Sequence, residues 1–180
     1  MNYTIQQLKD EFKRLGYNWY DFHIIGIRSK ADLPNSFDDK IYLVAGGKLF
    51  SYQATANPGT YWLQNFLNKK GTAVLKLGQW INCWSLGKHK GVYEALVQVK
   101  PVTVHRDTNK DLKSDEASVL DYGLFGINIH RSNETLTSKL IDKWSAGCQV
   151  FANGPQFREF IEKCKASKLQ YFTYTLLKEF

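Results

Sequence analysis

Apolar residues recur at Ile5, Leu8, Phe12 and Leu15, at spacings of three and four, and the pattern stops at Gly16. That period is one face of an amphipathic helix, and the glycine is its stop signal. From residue 21 to residue 107 the period changes. Short β-branched and aromatic runs, "DFHIIGIRS", "KIYLVAGGKLFSYQAT", "GTAVLKLGQWINCW", "GVYEALVQV" and "VTVHRD", alternate with Asn, Asp, Gly and Pro. Such runs predict strands joined by turns. "RDTNKDLKSDEAS" (106 to 118) is polar and free of aromatics, and the strand-like "YGLFGINIH" follows at once, so it predicts an exposed loop inside the domain. "GPQFREFIEKCKASK" returns to helical spacing, with Pro155 just inside its start and Phe157, Phe160, Ile161 and Cys164 on one face. "LQYFTYTLL" then predicts a closing strand. With no repeat and no low-complexity tract, the expectation is one α+β domain over residues 1 to 180, mostly β, with an N-terminal and a C-terminal helix.

Composition sharpens this only in part. Hydrophobic residues at 43 % and aromatics at 14 % suffice for a buried core. The balance of 24 Lys+Arg against 17 Asp+Glu leaves +7, which suits polyanionic partners such as nucleic acid, an anionic membrane or a bacterial cell wall. The cations are spread along the chain, so a plain solvated surface fits equally. No RNP-like strand, helix-turn-helix or zinc finger is visible, which argues against nucleic acid. No run approaches the roughly 18 apolar residues of a membrane span, so no membrane insertion is expected. The opening "MNYTIQQLKDEFKRLGYNWY" lacks a basic start followed by an apolar run, so the chain is expected to be made in the cytoplasm without a signal peptide.

Cys83, Cys148 and Cys164 are odd in number and widely spaced, which makes a disulfide framework and a CxxC metal knuckle poor readings. The histidines at 23, 89, 105 and 130 have no HExxH or comparable spacing. No metal and no cofactor is expected. Cys83 and Cys164 read as core, His23 and His105 as structural residues in apolar runs, and Arg106 with Asp107 as a polar pair at a strand end. Trp62, Trp80 and Trp84 read as core or rim. Cys148 differs. It follows Ser145, Ala146 and Gly147, His130 ends the strand-like "FGINI", and "RSNETLTSKLIDK" between them is long enough to cross over and set the two strand ends side by side. A thiol becomes a nucleophile when an imidazole takes its proton and tight turns aim N–H donors at the oxyanion. The competing reading is a core cysteine near a surface histidine, since free cysteine is among the most buried residue types.

His130, fourteen residues (131 to 144) and then "SAGC" resemble the motif of the L,D-transpeptidase catalytic domain (YkuD-type), a histidine and a spacer followed by Ser or Thr, His, Gly and Cys. "GGKLFSYQATANPGTYWL" (46 to 63) is similar to that family's strand, turn and TPxGxF segment near the active site, so the resemblance covers roughly residues 40 to 151. "GQW", "GKHKGVYEALVQ" and "VTVHRD", with "GINIHRS" and "SAGCQVF", are also similar to a divergent branch among phage and prophage lysis-type proteins. Two departures stand out. Ala146 replaces the second motif histidine, and "CQV" replaces Cys-apolar-Arg or Cys-apolar-Asn, so substrate must be held differently.

The resemblance implies a YkuD-like β-sandwich or barrel and acyl transfer on peptidoglycan stem peptides through a cysteine thioester. In that scheme Cys148 attacks, His130 is base and then acid, and the Gly147 and Cys148 N–H groups hold the oxyanion. Ser145 either orients the imidazole or is a turn residue. Arg131, Trp144, His89 and Asn128 are the substrate-binding candidates: Arg131 as a cation for a carboxylate, Trp144 beside the motif, His89 in a Gly-flanked basic loop that could act as a lid. The expected activity is a cysteine-type peptidase or carboxypeptidase acting on the anionic wall, released by a membrane-opening partner. Transpeptidation is the alternative within that chemistry, and a non-catalytic wall- or virion-binding module is the alternative outside it.

Overall fold

Thr4 opens the first helix through a reciprocal cap: its hydroxyl accepts the Gln7 N–H while the Gln7 side chain accepts the Thr4 N–H. Gly16 closes that helix in the left-handed region at φ +71°, a conformation that costs glycine nothing. The computed structural model describes residues 1–116 and 119–180. Along the chain come α1 (Ile5–Leu15), β1 (His23–Arg28), β2 (Asp39–Ala45), β3 (Lys48–Thr55), α2 (Thr60–Gln64), β4 (Thr72–Leu75) and β5 (Gly78–His89). Then follow β6 (Tyr93–Gln98), β7 (Val102–Asp107), β8 (Leu120–Gly123), β9 (Ile129–Arg131), β10 (Gln149–Phe151), α3 (Gly154–Ala166) and β11 (Phe172–Lys178). The protein is α+β and mostly β.

Eight strands close a barrel in the order β1-β11-β5-β6-β9-β10-β3-β2, and β4-β7-β8 form a separate three-stranded sheet. Two barrel pairs are parallel, β1 with β11 and β9 with β10. All six residues of β1 are buried, because both of its faces are covered. Ile24 points into the barrel core with Ile41, Tyr174 and Leu176, whereas Ile25 and Ile27 point outward onto Leu8 and Phe12 of α1. That explains an apolar run without alternation. Phe157, Phe160, Ile161 and Cys164 of α3 join the barrel core, as their helical spacing predicts, and each large side chain buried there contributes about 1.5–3 kcal/mol.

Some expectations are corrected. "YGLFGINIH" is two strands: β8 pairs with β7 in the small sheet, and β9 belongs to the barrel. The break falls at Gly126, whose φ of +70° turns the chain from one sheet to the other. The short helix α2 was not expected. Arg106 and Asp107 do not pair with each other. The Arg106 guanidinium bonds Asp121 at 3.1 Å and the Gly71 carbonyl at 3.2 Å, while Asp107 accepts the Asp115 N–H at 2.8 Å. The polar loop begins only after β7, and its last two positions, 117 and 118, lie outside the described residues. Cys83 and Cys164 are buried free thiols. His23 is fully buried, with Nε2 2.8 Å from the Thr175 hydroxyl. Trp84 is a core residue, and no helix among the described residues is long and apolar enough to cross a membrane.

Candidate active site

The parallel pairing of β9 with β10 sets His130 opposite Val150, and Cys148 stands just before β10. His130, Cys148, His89, Asn128 and Trp144 all line one cleft of about 510 Å³. A second hollow of about 300 Å³ adjoins it, sharing Trp62, Leu67, Ala73, Phe125 and Ala146. The turn carrying Cys148 is pressed against the small sheet. Gly147 has φ +124°, and a Cβ there would come within 2.4 Å of the Ala73 carbonyl, so no other residue fits. On its other side the Gly59 N–H donates to the Ser145 carbonyl at 2.8 Å and the Trp62 indole N–H to the Lys143 carbonyl at 3.0 Å. The end of the segment 46 to 63, at Gly59 and Trp62, therefore lies against the motif.

From inside the barrel, Gln149 holds the same turn. It accepts the Tyr174 hydroxyl at 2.8 Å and donates to the Gly147 carbonyl at 3.3 Å. Gly26 makes room for that tyrosine, since a Cβ at 26 would fall 1.8 Å from the Tyr174 oxygen. The "CQV" departure thus has a structural meaning: Gln149 is a buried tie and Val150 is core, so neither faces a substrate.

Hydrogen-bond logic assigns the protons. His130 Nδ1 lies 2.8 Å from the Arg131 carbonyl, which can only accept, so Nδ1 carries the hydrogen and Nε2 the lone pair. The Tyr93 hydroxyl, 3.0 Å from Nδ1, gives its own proton to the same carbonyl at 3.1 Å. His130 Nε2 is buried and has no hydrogen-bond partner among the described residues. Asn128 Oδ1 accepts the Gln98 N–H at 3.0 Å, so the Asn128 amide N–H is what meets His89 Nδ1 at 3.1 Å, and His89 carries its hydrogen on Nε2. The two imidazoles stack at 3.9 Å and 20°. Desolvation above all, then the neighbouring ring, lowers His130 to about 3, while desolvation and the Lys90 charge lower His89 to about 4. Both rings rest neutral.

The Cys148 thiol donates to the Gly126 carbonyl at 3.4 Å and accepts the Asn128 N–H at 3.4 Å. Desolvation pushes it up to about 11, against the smaller pull of that N–H and of Lys90. Burial thus favours the thiol form of Cys148 and the neutral form of His130.

The remaining predicted site residues fall as follows. Ser145 does not orient His130; its hydroxyl donates to the Cys148 carbonyl at 2.8 Å and accepts the Gly147 N–H at 3.2 Å. That commits the Gly147 N–H, one of the two expected oxyanion donors, to the Ser145 hydroxyl. Arg131 is corrected: adjacent to His130 in a strand, it faces the other way. Its guanidinium lies 4.1 Å from the Tyr93 ring and 3.6 Å from Glu134, lining a different pocket. The Asn128 side chain is committed to His89 and Gln98. His89 is not on a lid; it ends β5, and β6 follows after a tight turn. Trp144 is 42 % exposed at the cleft. Tyr93, Gly126, Lys90 and Lys143 were missed. Only Tyr93 carried a signal, as the aromatic that opens a strand just after the histidine-bearing end of the preceding one. Comparison with family models, with curated proteins and with solved structures finds no match to this chain.

Proposed function

We propose that the protein is a cysteine-dependent peptidoglycan hydrolase of the L,D-transpeptidase type, cleaving stem peptides through a thioester. The observation that carries this reading is the cleft shared by Cys148 and an imidazole whose Nδ1–H is tied to a backbone carbonyl and whose Nε2 has no hydrogen-bond partner among the described residues. The motif resemblance supplies the substrate class, and the net charge of +7 suits an anionic wall.

In the acylation step the Cys148 proton passes to His130 Nε2 as sulfur attacks the carbonyl carbon. The oxyanion takes the Cys148 N–H, and the Arg131 carbonyl steadies the imidazolium through Nδ1–H. Collapse breaks the amide bond, and the leaving amine takes the proton from Nε2. Water then attacks the thioester, giving its proton to the same nitrogen, which returns it to sulfur. With both groups neutral at rest, proton transfer and attack are concerted.

The test is incubation of the protein and its Cys148→Ala form with purified sacculi and soluble stem peptides, followed by mass spectrometry. New amine and carboxyl ends from the wild type alone are expected. New cross-links would make it a transpeptidase, and identical products from both proteins would overturn catalysis and leave a wall-binding module.

A further inference from the structure

The β5–β6 hairpin turns over Lys90 and Gly91, both left-handed at φ +50° and +73°, with the Val92 N–H on the His89 carbonyl at 2.9 Å. His89 pairs with Tyr93, so the turn holds three residues, and its left-handed positions favour Gly, Asn or Asp. A lysine there is held at a steric cost, and such strain concentrates where function requires the residue. The tight turn fixes the root of Lys90 at the rim of the cleft beside His89, and Lys90 lines that cleft with Lys143. No carboxylate lines it, and Lys90 has no ion-pair partner, among the described residues. Its charge reaches both imidazoles and the thiol. Lys143 is engaged, its ammonium 4.2 Å from the Tyr61 ring. The other candidate cation, Arg131, faces away.

We infer that Lys90 is a specificity residue that receives a free carboxylate of the acyl donor, so that the preferred substrates are peptides carrying a carboxylate within a lysine's reach of the scissile carbonyl. This rests on the reading of Cys148 as the reactive group. It also answers how a cleft without the motif's Arg or Asn holds an anionic substrate.

A small-molecule probe separates this inference from the proposed activity. Cys148 is alkylated with anionic iodoacetate and with neutral iodoacetamide, each rate being read by site-resolved mass spectrometry, and the rate ratio is compared with that of a small free thiol. The wild type is expected to favour iodoacetate relative to that thiol. Lys90→Asn, which suits the left-handed turn and so keeps the fold, lowers the ratio about five-fold, of the order of one screened charge contact. Lys90→Arg retains it. With stem peptides, the wild type shows a higher KM for amidated than for free-carboxylate forms, and Lys90→Asn removes the difference. An unchanged ratio in Lys90→Asn, or a fall produced by Lys143→Gln instead, overturns the inference whatever the enzyme cleaves. A ratio that shifts as expected while no stem peptide is turned over overturns the proposed function and keeps the anion site.

Discussion

His130 shows how far one side chain's chemistry is set by its neighbours. A carbonyl that can only accept fixes the hydrogen on Nδ1, burial keeps the ring neutral, and the stacked His89 adds to the penalty for a second charge. The thiol is displaced in the opposite sense, to about 11. A pH profile follows with its sign. Below about 3 to 4 His130 is protonated and cannot take the thiol proton; above about 11 the thiol has already lost it. We expect kcat/KM on stem peptides to stay flat from about pH 5 to 9, without the limb near 6.5 of an ordinary histidine. A limb near 6.5 would mean that His130 titrates as an ordinary, solvated imidazole. At this scale the sequence pointed to both cleft residues through local features, the small residues before Cys148 and the strand-forming run that carries His130 within β9. Arg131 lines another pocket than Cys148, and that cue was local too: neighbours in a strand face opposite ways.

Between elements, the turn bearing Cys148 is held by the adjoining β10 and, through it, by strands far from it in sequence. β11 supplies Tyr174, β10 supplies Gln149, and β1 gives way at Gly26 so that the tyrosine hydroxyl fits. Gly26→Ala is expected to lose about 2–4 kcal/mol, since the new methyl displaces that hydroxyl and leaves Gln149 without its donor. Tyr174→Phe alone should cost about 1–3 kcal/mol. The double variant should lose less than the sum, because part of the clash is with the missing oxygen. Urea unfolding of the three variants checks this; strict additivity would mean the contact carries no coupling. Both long helices could be foreseen from their periodicity and stop signals. The division of 120 to 131 into β8 and β9 could not, because both halves are apolar and only the partner sheet differs.

For the whole molecule, burial of titratable groups makes stability depend on pH. His23, His89 and His130 are lowered by desolvation to about 4, 4 and 3, so below the ordinary value near 6.5 the unfolded chain binds protons that the folded chain refuses. Stability therefore falls as pH drops from about 6.5 toward 4. Asp39 works the other way. Desolvation raises it to about 7, so its folded form holds a proton that the unfolded form releases above about 4, and stability from this group falls as pH rises through that window. Net uptake on unfolding near pH 5 is then about two protons. Urea titrations between pH 4.5 and 6.5 measure that slope. A slope of the opposite sign, with about one proton released on unfolding, would mean that the three histidines are charged in the folded protein.

What the sequence determined by itself is whatever near neighbours encode. The ends of α1 and α3, the strand-forming runs, the absence of a disulfide pattern and the small residues before Cys148 all follow from periodicity and turn chemistry within a few positions. The tertiary structure alone decided that β1 meets β11 and β9 meets β10, that Gly59 and Ala73 pack on the motif turn, that His89 stacks on His130, and that Lys90 rather than Arg131 stands at the cleft. These depend on which distant surfaces close on each other and on how much water that closure removes. Desolvation sums contributions from every packed neighbour, so neither the neutral imidazole nor the raised thiol is written in any one stretch of the chain.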